Sequence, residues 1–282
     1  MRPVTYISGA TGFVGLKLTE LLASQGDNLL LSARDENQLK EIARSLSRIY
    51  PNQSFHFFNC DLAEPKSWDS AVSNLREFRI NKYLNCSGIQ GLIGPLSEIP
   101  YVEMNRVFNV NLFSSIFFTN YLSMRLKSEE KLSIIHFSGG GSTSPRPMFM
   151  SYSLSKTSLV RFIENFAAEN VNPNIRINAI APGVMPSKMQ KEVLNNPSLR
   201  GTEDHLNAEK SLASDTFDFT KILSLCNFLL SNDSEGITGK LISAEWDNWA
   251  EWSSHLPELR DSDVYTLRRI IGRDRGKPWG DI

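Results

Sequence analysis

Apolar residues along this chain fall into two alternating rhythms. Short β-rich runs are followed by longer stretches with helical spacing. The first pair is a strand at Val4–Ser8 and a helix at Gly12–Gln25. The same reading predicts strands at Asn28–Ala33, Phe55–Asn59, Lys82–Cys86, Leu132–Phe137, Ile175–Ala181 and Lys240–Ala244. Helices are predicted over Asp35–Tyr50, with Asp35 as N-cap, and over Lys66–Phe78, Glu103–Leu126, Ser151–Asn170 and Phe217–Leu230. Strands separated by helical lengths pair in parallel through right-handed crossovers. The expectation is one doubly wound α/β domain over residues 1–245, with a mostly parallel seven-stranded sheet and helices on both faces. Two segments break the rhythm. Pro186–Asp215 is polar and irregular, and a tail over residues 246–282 carries Trp246, Trp249 and Trp252 at every third position. The tail is too rich in Trp, Leu and Ile for a linker, so a docked extension is expected, with the indoles on one helical face. A sharper reading lays those indoles over a substrate sugar ring, and the basic run from Arg268 to Lys277 reads as a solvated surface.

Charge and cysteine usage narrow the picture by exclusion. The formal net charge is −1 and the pI about 6.5, so neither nucleic acid nor an anionic membrane is an expected partner. Cys60, Cys86 and Cys226 are far apart and belong to no CxxC or Cys/His cluster. Free thiols in a reducing compartment are expected, with no metal site. The N-terminus shows no signal-peptide pattern and no apolar run is long enough to span a bilayer, which points to the cytoplasm.

Candidate chemistry begins at "SGATGFVG", Ser8–Gly15, between the first strand and the first helix. Glycines there let the backbone turn tightly and approach a diphosphate, while the helix N-terminus offers free N–H groups. A strand before and a helix after are the context this dinucleotide-binding loop requires, so the domain reads as Rossmann-type. An acid at the end of the second strand would select NAD; here Ala33 holds that place and Arg34 follows, which suits the 2′-phosphate of NADP. Further on, "SYSLSK" places Tyr152 and Lys156 four residues apart, on one face of a helix.

Taken in order, these stretches resemble the short-chain dehydrogenase/reductase family. "CDLAEP" is similar to its adenine-contacting aspartate, which would be Asp61 with Leu62 beside it. "LNCSGIQGLIGPL" resembles the family's "NNAG" stretch through Asn85, Ser87 and Gly88. "VFNVNLF" supplies Asn111, and "IRINAIAPGVMPSKM" resembles the strand and loop that hold the nicotinamide, through Pro182, Gly183, Val184 and Ser187. The glycine loop, with Gly9, Thr11, Gly12, Phe13, Val14 and Gly15, has the TGxxGxxG spacing of the family's extended nucleotide-sugar branch. The rest looks like a classical member.

The resemblance implies an NADP(H)-preferring oxidoreductase working between an alcohol and a carbonyl. Tyr152 would be the general acid/base, Lys156 would lower its pKa and hold the nicotinamide ribose, and Asn111 would hold a water leading from Lys156. Classical members carry a serine thirteen residues before the tyrosine, where this chain has Gly139. Ser138 is the nearest candidate and Ser142 the alternative. Other readings are a nucleotide-sugar epimerase or dehydratase, suggested by the loop spacing, and a catalytically silent NADP-binding sensor or scaffold, suggested by Gly139. Pro186–Asp215 would be the substrate lid, and its polarity hints at a polar carbonyl or alcohol substrate, with a sugar as one form. The two long helices, Glu103–Leu126 and Ser151–Asn170, match those that join subunits in the family, implying a homodimer or homotetramer.

Overall fold

A computed structural model describes residues 3–169, 172–214, 216–277 and 279. Asn170 and Asp215, expected as the ends of a helix and of the lid, lie outside the described residues, as do 278 and 280–282 of the tail. The chain runs β1 (Val4–Ser8), α1 (Phe13–Ser24), β2 (Asn28–Ala33), α2 (Glu36–Ile49), β3 (Phe55–Asn59), α3 (Pro65–Leu75), β4 (Ile80–Asn85), α4 (Tyr101–Phe108), α5 (Ser114–Met124), β5 (Leu132–Phe137), α6 (Met150–Glu169), β6 (Ile175–Ala181), α7 (Lys188–Leu194), α8 (Glu203–Leu212), α9 (Thr220–Leu230), β7 (Leu241–Ser243) and α10 (Leu256–Arg260).

The strands form one seven-stranded parallel sheet in the order β3-β2-β1-β4-β5-β6-β7. Both faces are covered, so the central strands bury apolar side chains on both. Ile7, Leu31, Leu84 and Ile135 pack beneath α1, α2 and α9, while their chain neighbours Tyr6, Leu30, Tyr83 and Ile134 pack against α3, α5 and α6. The rings of Tyr6 and Tyr83 stack at 4.9 Å between centroids. Strand order reverses between β1 and β4, and at such a switch point the connections leave in opposite directions and open a crevice at the strands' carboxyl ends.

Three elements differ from the sequence expectation. The single helix expected over Glu103–Leu126 is α4 and α5 joined by a π-helical turn at Asn109–Phe113. The segment expected to be irregular contains α7 and α8, because its few apolar residues, among them Val193, Leu199 and Ala208, are buried against Phe149 and Tyr152, which are remote in sequence. The indole stripe is broken. A 3-10 turn at Trp249–Ser254 aligns Trp249 with Trp252, as three residues per turn requires, but Trp246 precedes it and is 84% exposed. Trp252 is buried against Tyr265, with ring centroids 4.2 Å apart, and Trp249 lies 5.8 Å from the Phe228 ring. The tail then passes the edge of β7, where the Leu241 N–H donates to the Tyr265 carbonyl at 2.8 Å. Among the described residues no helix is long and apolar enough to cross a membrane.

Candidate active site

The crevice at the switch point opens into a cavity of about 1360 Å³. At one end its wall is the glycine loop. The backbone turns at Gly9 (φ +75°), and Gly15 lies so close to the Gly9 carbonyl that a Cβ there would collide with it, which lets α1 start directly behind β1. Gly12 caps α1 without a side-chain bond, so the helix starts with first-turn N–H groups that no side chain has claimed. Gly12, Phe13 and Val14 line the cavity, and Arg34 lies at the same end, exposed. Asp35 is occupied elsewhere: its carboxylate accepts the Gln38 N–H at 3.0 Å as the α2 N-cap. Gly9, Thr11, Gly15, Asp61, Leu62 and Asn85, predicted for the cofactor, are not among the residues that line the cavity. Asp61 accepts the Ala63 N–H, and Asn85 bonds Ser115 and the Ser87 N–H. Ser87 and Gly88 line the cavity past β4, and Pro182, Gly183, Val184 and Ser187 line it past β6.

At the other end stand Tyr152 and Lys156, both buried on α6. The Lys156 ammonium donates to the Phe137 carbonyl at 2.6 Å and lies 5.8 Å from the Tyr152 ring centroid. Burial brings its pKa down to about 8. Burial also pushes the Tyr152 phenol above its ordinary value, and the Arg146 guanidinium opposes that rise. Beneath them His136 is fully buried, its Nε2 3.0 Å from the Thr119 hydroxyl, and burial together with the Lys156 charge brings its pKa down to about 3.

Asn111 sits in the π turn with its side chain fully engaged. Its Nδ2 donates to the Ile89 carbonyl and to the Ser155 hydroxyl, each at 2.9 Å, and its Oδ1 accepts the Ile89 N–H at 2.9 Å. It therefore braces the loop after β4 against α6. The serine candidates fare differently from the tyrosine. Ser138 is buried and its Oγ has no partner among the described residues, and Ser142 is buried with its carbonyl accepting from Thr157. Gly139 faces Tyr152 so closely that a Cβ would collide with the phenolic oxygen.

Two wall residues were missed in the sequence. Gln90 is buried, and its Nε2 has no partner among the described residues. Arg146 lies 3.7 Å over the Phe149 ring, 5.9 Å from the Tyr152 ring centroid, and pairs with Asp204 on α8 at 2.7 Å. Its sequence signal was there: an arginine between two prolines, in "SPRPM", is held on a stiff backbone. Among the described residues no group of three or more His, Cys, Asp or Glu could hold a metal ion.

A family model described as enoyl-(acyl carrier protein) reductase matches residues 9–245. A diacetyl reductase, (S)-acetoin forming, of Staphylococcus epidermidis is 24% identical over 86% of this chain and 96% of its own. A benzil reductase, (S)-benzoin forming, of Saccharomyces cerevisiae is 28% identical over 68% of this chain and 75% of its own. Among solved structures, an NAD+-bound xylitol dehydrogenase has the same fold with a TM-score of 0.73 at 23% identity, covering 86% of this chain and 96% of that one.

Proposed function

This chain belongs to the short-chain dehydrogenase/reductase family and acts on alcohols or ketones with NAD(P); we propose that it prefers NADP(H), with Tyr152 as general acid/base. The observation that carries this reading is a single cavity joining the glycine loop and Arg34 at one end to Tyr152 and Lys156 at the other. The residues present fit a nicotinamide dinucleotide. The uncapped N-terminus of α1 takes the diphosphate, and Arg34, with no acid beside it at Ala33, takes the 2′-phosphate. Ser87, Gly88 and the Pro182–Ser187 loop hold the nicotinamide side, with Asp61 and Leu62 at the adenine side. Bound there, the cofactor supplies a hydride to a carbonyl carbon or takes one from an alcohol.

Everything else falls to the chain's own side chains. Tyr152 gives its proton to the carbonyl oxygen in reduction, and a phenol kept protonated by burial suits that acid role. Lys156 holds the nicotinamide ribose. Asn111 keeps the Gly88–Gln90 loop and α6 in register. Polar groups of the lid and of the loop after β4, Gln90, Gln190, Asn196 and Asn207, favour a polar carbonyl substrate, with a sugar as one form. Trp246, exposed at the cavity wall, offers an indole face to such a ring. The relatives named for diacetyl and benzil make vicinal diketones the first substrates to try. Exposed Met150, Leu154 and Phe113 beside a groove of about 1180 Å³ on the α5 and α6 side support a homodimer or homotetramer.

NADPH and NADH oxidation is followed by absorbance with diacetyl, benzil and a panel of sugars. Tyr152→Phe loses most turnover and keeps NADPH affinity, Lys156→Ala harms both, and Arg34→Ala brings the NADPH affinity down to that of NADH. Full turnover in Tyr152→Phe would overturn the assignment of the proton carrier, and equal affinities unchanged in Arg34→Ala would overturn the cofactor preference.

A further inference from the structure

Among the described residues no hydroxyl is hydrogen-bonded to the Tyr152 phenol. Gly139 offers only backbone, and the Ser138 hydroxyl is buried without a partner among the described residues. Besides Lys156, a second cation faces the Tyr152 ring: Arg146, 5.9 Å from its centroid. Its place is set by a tight turn over residues 146–149, in which Pro147 takes the first corner and Met148 the second. The Phe149 N–H closes the turn onto the Arg146 carbonyl at 3.3 Å. Met148 has φ +73°, a conformation that favours glycine, and it persists because Gly94 donates to its carbonyl at 2.9 Å and its side chain packs into the cluster around Phe149. The guanidinium is thereby laid on the Phe149 ring, with Tyr152 one helical turn further along α6. Asp204, on the lid helix α8, accepts from Nε at 2.9 Å and lies 2.7 Å from Nη2, so the lid holds the counter-charge.

We propose that Arg146 is a positioning residue for proton transfer: its fixed charge stabilises the phenolate that Tyr152 becomes on giving up its proton, and Asp204 on the lid sets how much of that charge the tyrosine feels. The inference rests on Tyr152 being the proton carrier. In reduction the phenol O–H breaks, its proton goes to the substrate oxygen, and the negative charge stays on the phenolic oxygen. A cation nearby lowers the free energy of that state. Lys156 supplies charge as well: its ammonium, bonded to the Phe137 carbonyl, lies 5.8 Å from the Tyr152 ring centroid, and with a pKa of about 8 it is charged at neutral pH and loses that charge across the alkaline titration. A guanidinium stays charged throughout. The other charged side chains of α4, α7 and α8 that line the cavity are Glu203 on α8, Lys188 and Glu192 on α7, and Arg106 on α4, which pairs with Glu103 at 2.9 Å. The loop from Gly88 to Ile93 brings none.

The test needs no knowledge of the natural substrate. The ionised fraction of Tyr152 is read from tyrosinate absorbance, as each protein minus its Tyr152→Phe counterpart, across alkaline pH. In parallel, the pH profile of NADPH-dependent diacetyl reduction is recorded. Arg146→Ala moves the Tyr152 step up by about one unit or more, a roughly tenfold smaller ionised fraction at a given pH, and Asp204→Asn moves it down. Arg146→Lys, which keeps the charge, stays near the parent protein and serves if the alanine variant is poorly folded. Opposite shifts in the two variants support the proposal, since loss of shape alone would not give them. Steps that do not move, or that move together, overturn it. If Tyr152→Phe retains turnover, the proposed catalytic role fails instead, and the absorbance titration still decides whether Arg146 acts on the phenol.

Discussion

Gly139 occupies the position where the family resemblance calls for a serine, and it has consequences at the scale of single residues. Its backbone lies against the phenolic oxygen, so any side chain there must push the Tyr152 ring out of a buried site. Gly139→Ser therefore does not restore a missing hydroxyl. Expected is at least a tenfold loss of turnover, about 1.4 kcal/mol in the barrier, with NADPH affinity unchanged. Steady-state kinetics and a cofactor titration check it, and a more active serine variant would refute it. His136 carries a second prediction. Its folded pKa, about 3, lies below the ordinary 6.5, so the unfolded chain binds the extra proton between those values. The sign follows: the protein loses stability as pH falls from about 6.5 toward 3, by about 1.4 kcal/mol per pH unit from this group alone. In His136→Gln that part of the slope disappears, which urea unfolding at several pH values measures. Tyr152 and Lys156 were legible in the sequence because four residues on a helix fix a shared face. The prolines on either side of Arg146 signalled a stiff backbone, but its approach to Tyr152 was not legible, since it depends on a turn with an unusual Met148.

At the scale of elements, the π turn at Asn109–Phe113 carries the bracing function. An extra residue in the turn is a feature often found where a helix serves a site. Here it carries Asn111, whose amide closes three hydrogen bonds to Ile89 and Ser155. Asn111→Ala leaves those buried groups unpaired. Expected is a loss of about 2–3 kcal/mol in unfolding free energy, with a weakened NADPH affinity through the loosened Gly88 loop. A variant as stable as the parent would show that water replaces the amide. The helix periodicity gave the right length here but could not show the interruption, because apolar spacing reads the same through one wide turn. The segment after Pro186 was misread as irregular for a related reason. Helices α7 and α8 have too few apolar residues to signal themselves, and those they have are buried by Phe149 and Tyr152 on another part of the chain.

For the whole molecule, the tail is the feature that sets this chain apart from a bare doubly wound domain. It buries Trp252 and Leu259 in the cluster beneath α9 and covers the edge of β7. Lys240 reaches across to the carbonyls of Ser262 and Val264, at 2.9 and 3.0 Å, and the Leu267 N–H donates to Glu164 on α6. Removing everything after Asp247 forfeits the burial of those two side chains, roughly 3–6 kcal/mol, and leaves a strand edge open to other chains. The truncated protein is expected to melt lower and to associate further in light scattering, with NADPH affinity nearly unchanged. Unchanged melting and assembly would refute the docking energetics. A loss confined to substrate turnover would favour a covering role for the tail, since Tyr265 and Thr266 also line the cavity.

The sequence by itself determined the order of the strands and of most helices between them, the glycine loop, the Tyr152–Lys156 pair and the family. Those are local matters: periodicity, turn chemistry and short spacings are written in neighbouring residues, and a parallel sheet with right-handed crossovers leaves few ways to connect them. Tertiary structure alone decided what stands next to what at the reacting end. That Gly139 abuts the phenol, that Arg146 is shared between Tyr152 and Asp204, that Lys156 is directed at Phe137, and that the tail seals β7 are contacts between segments distant along the chain. Each depends on burial and on which face an element turns inward, quantities that exist only once the elements have packed.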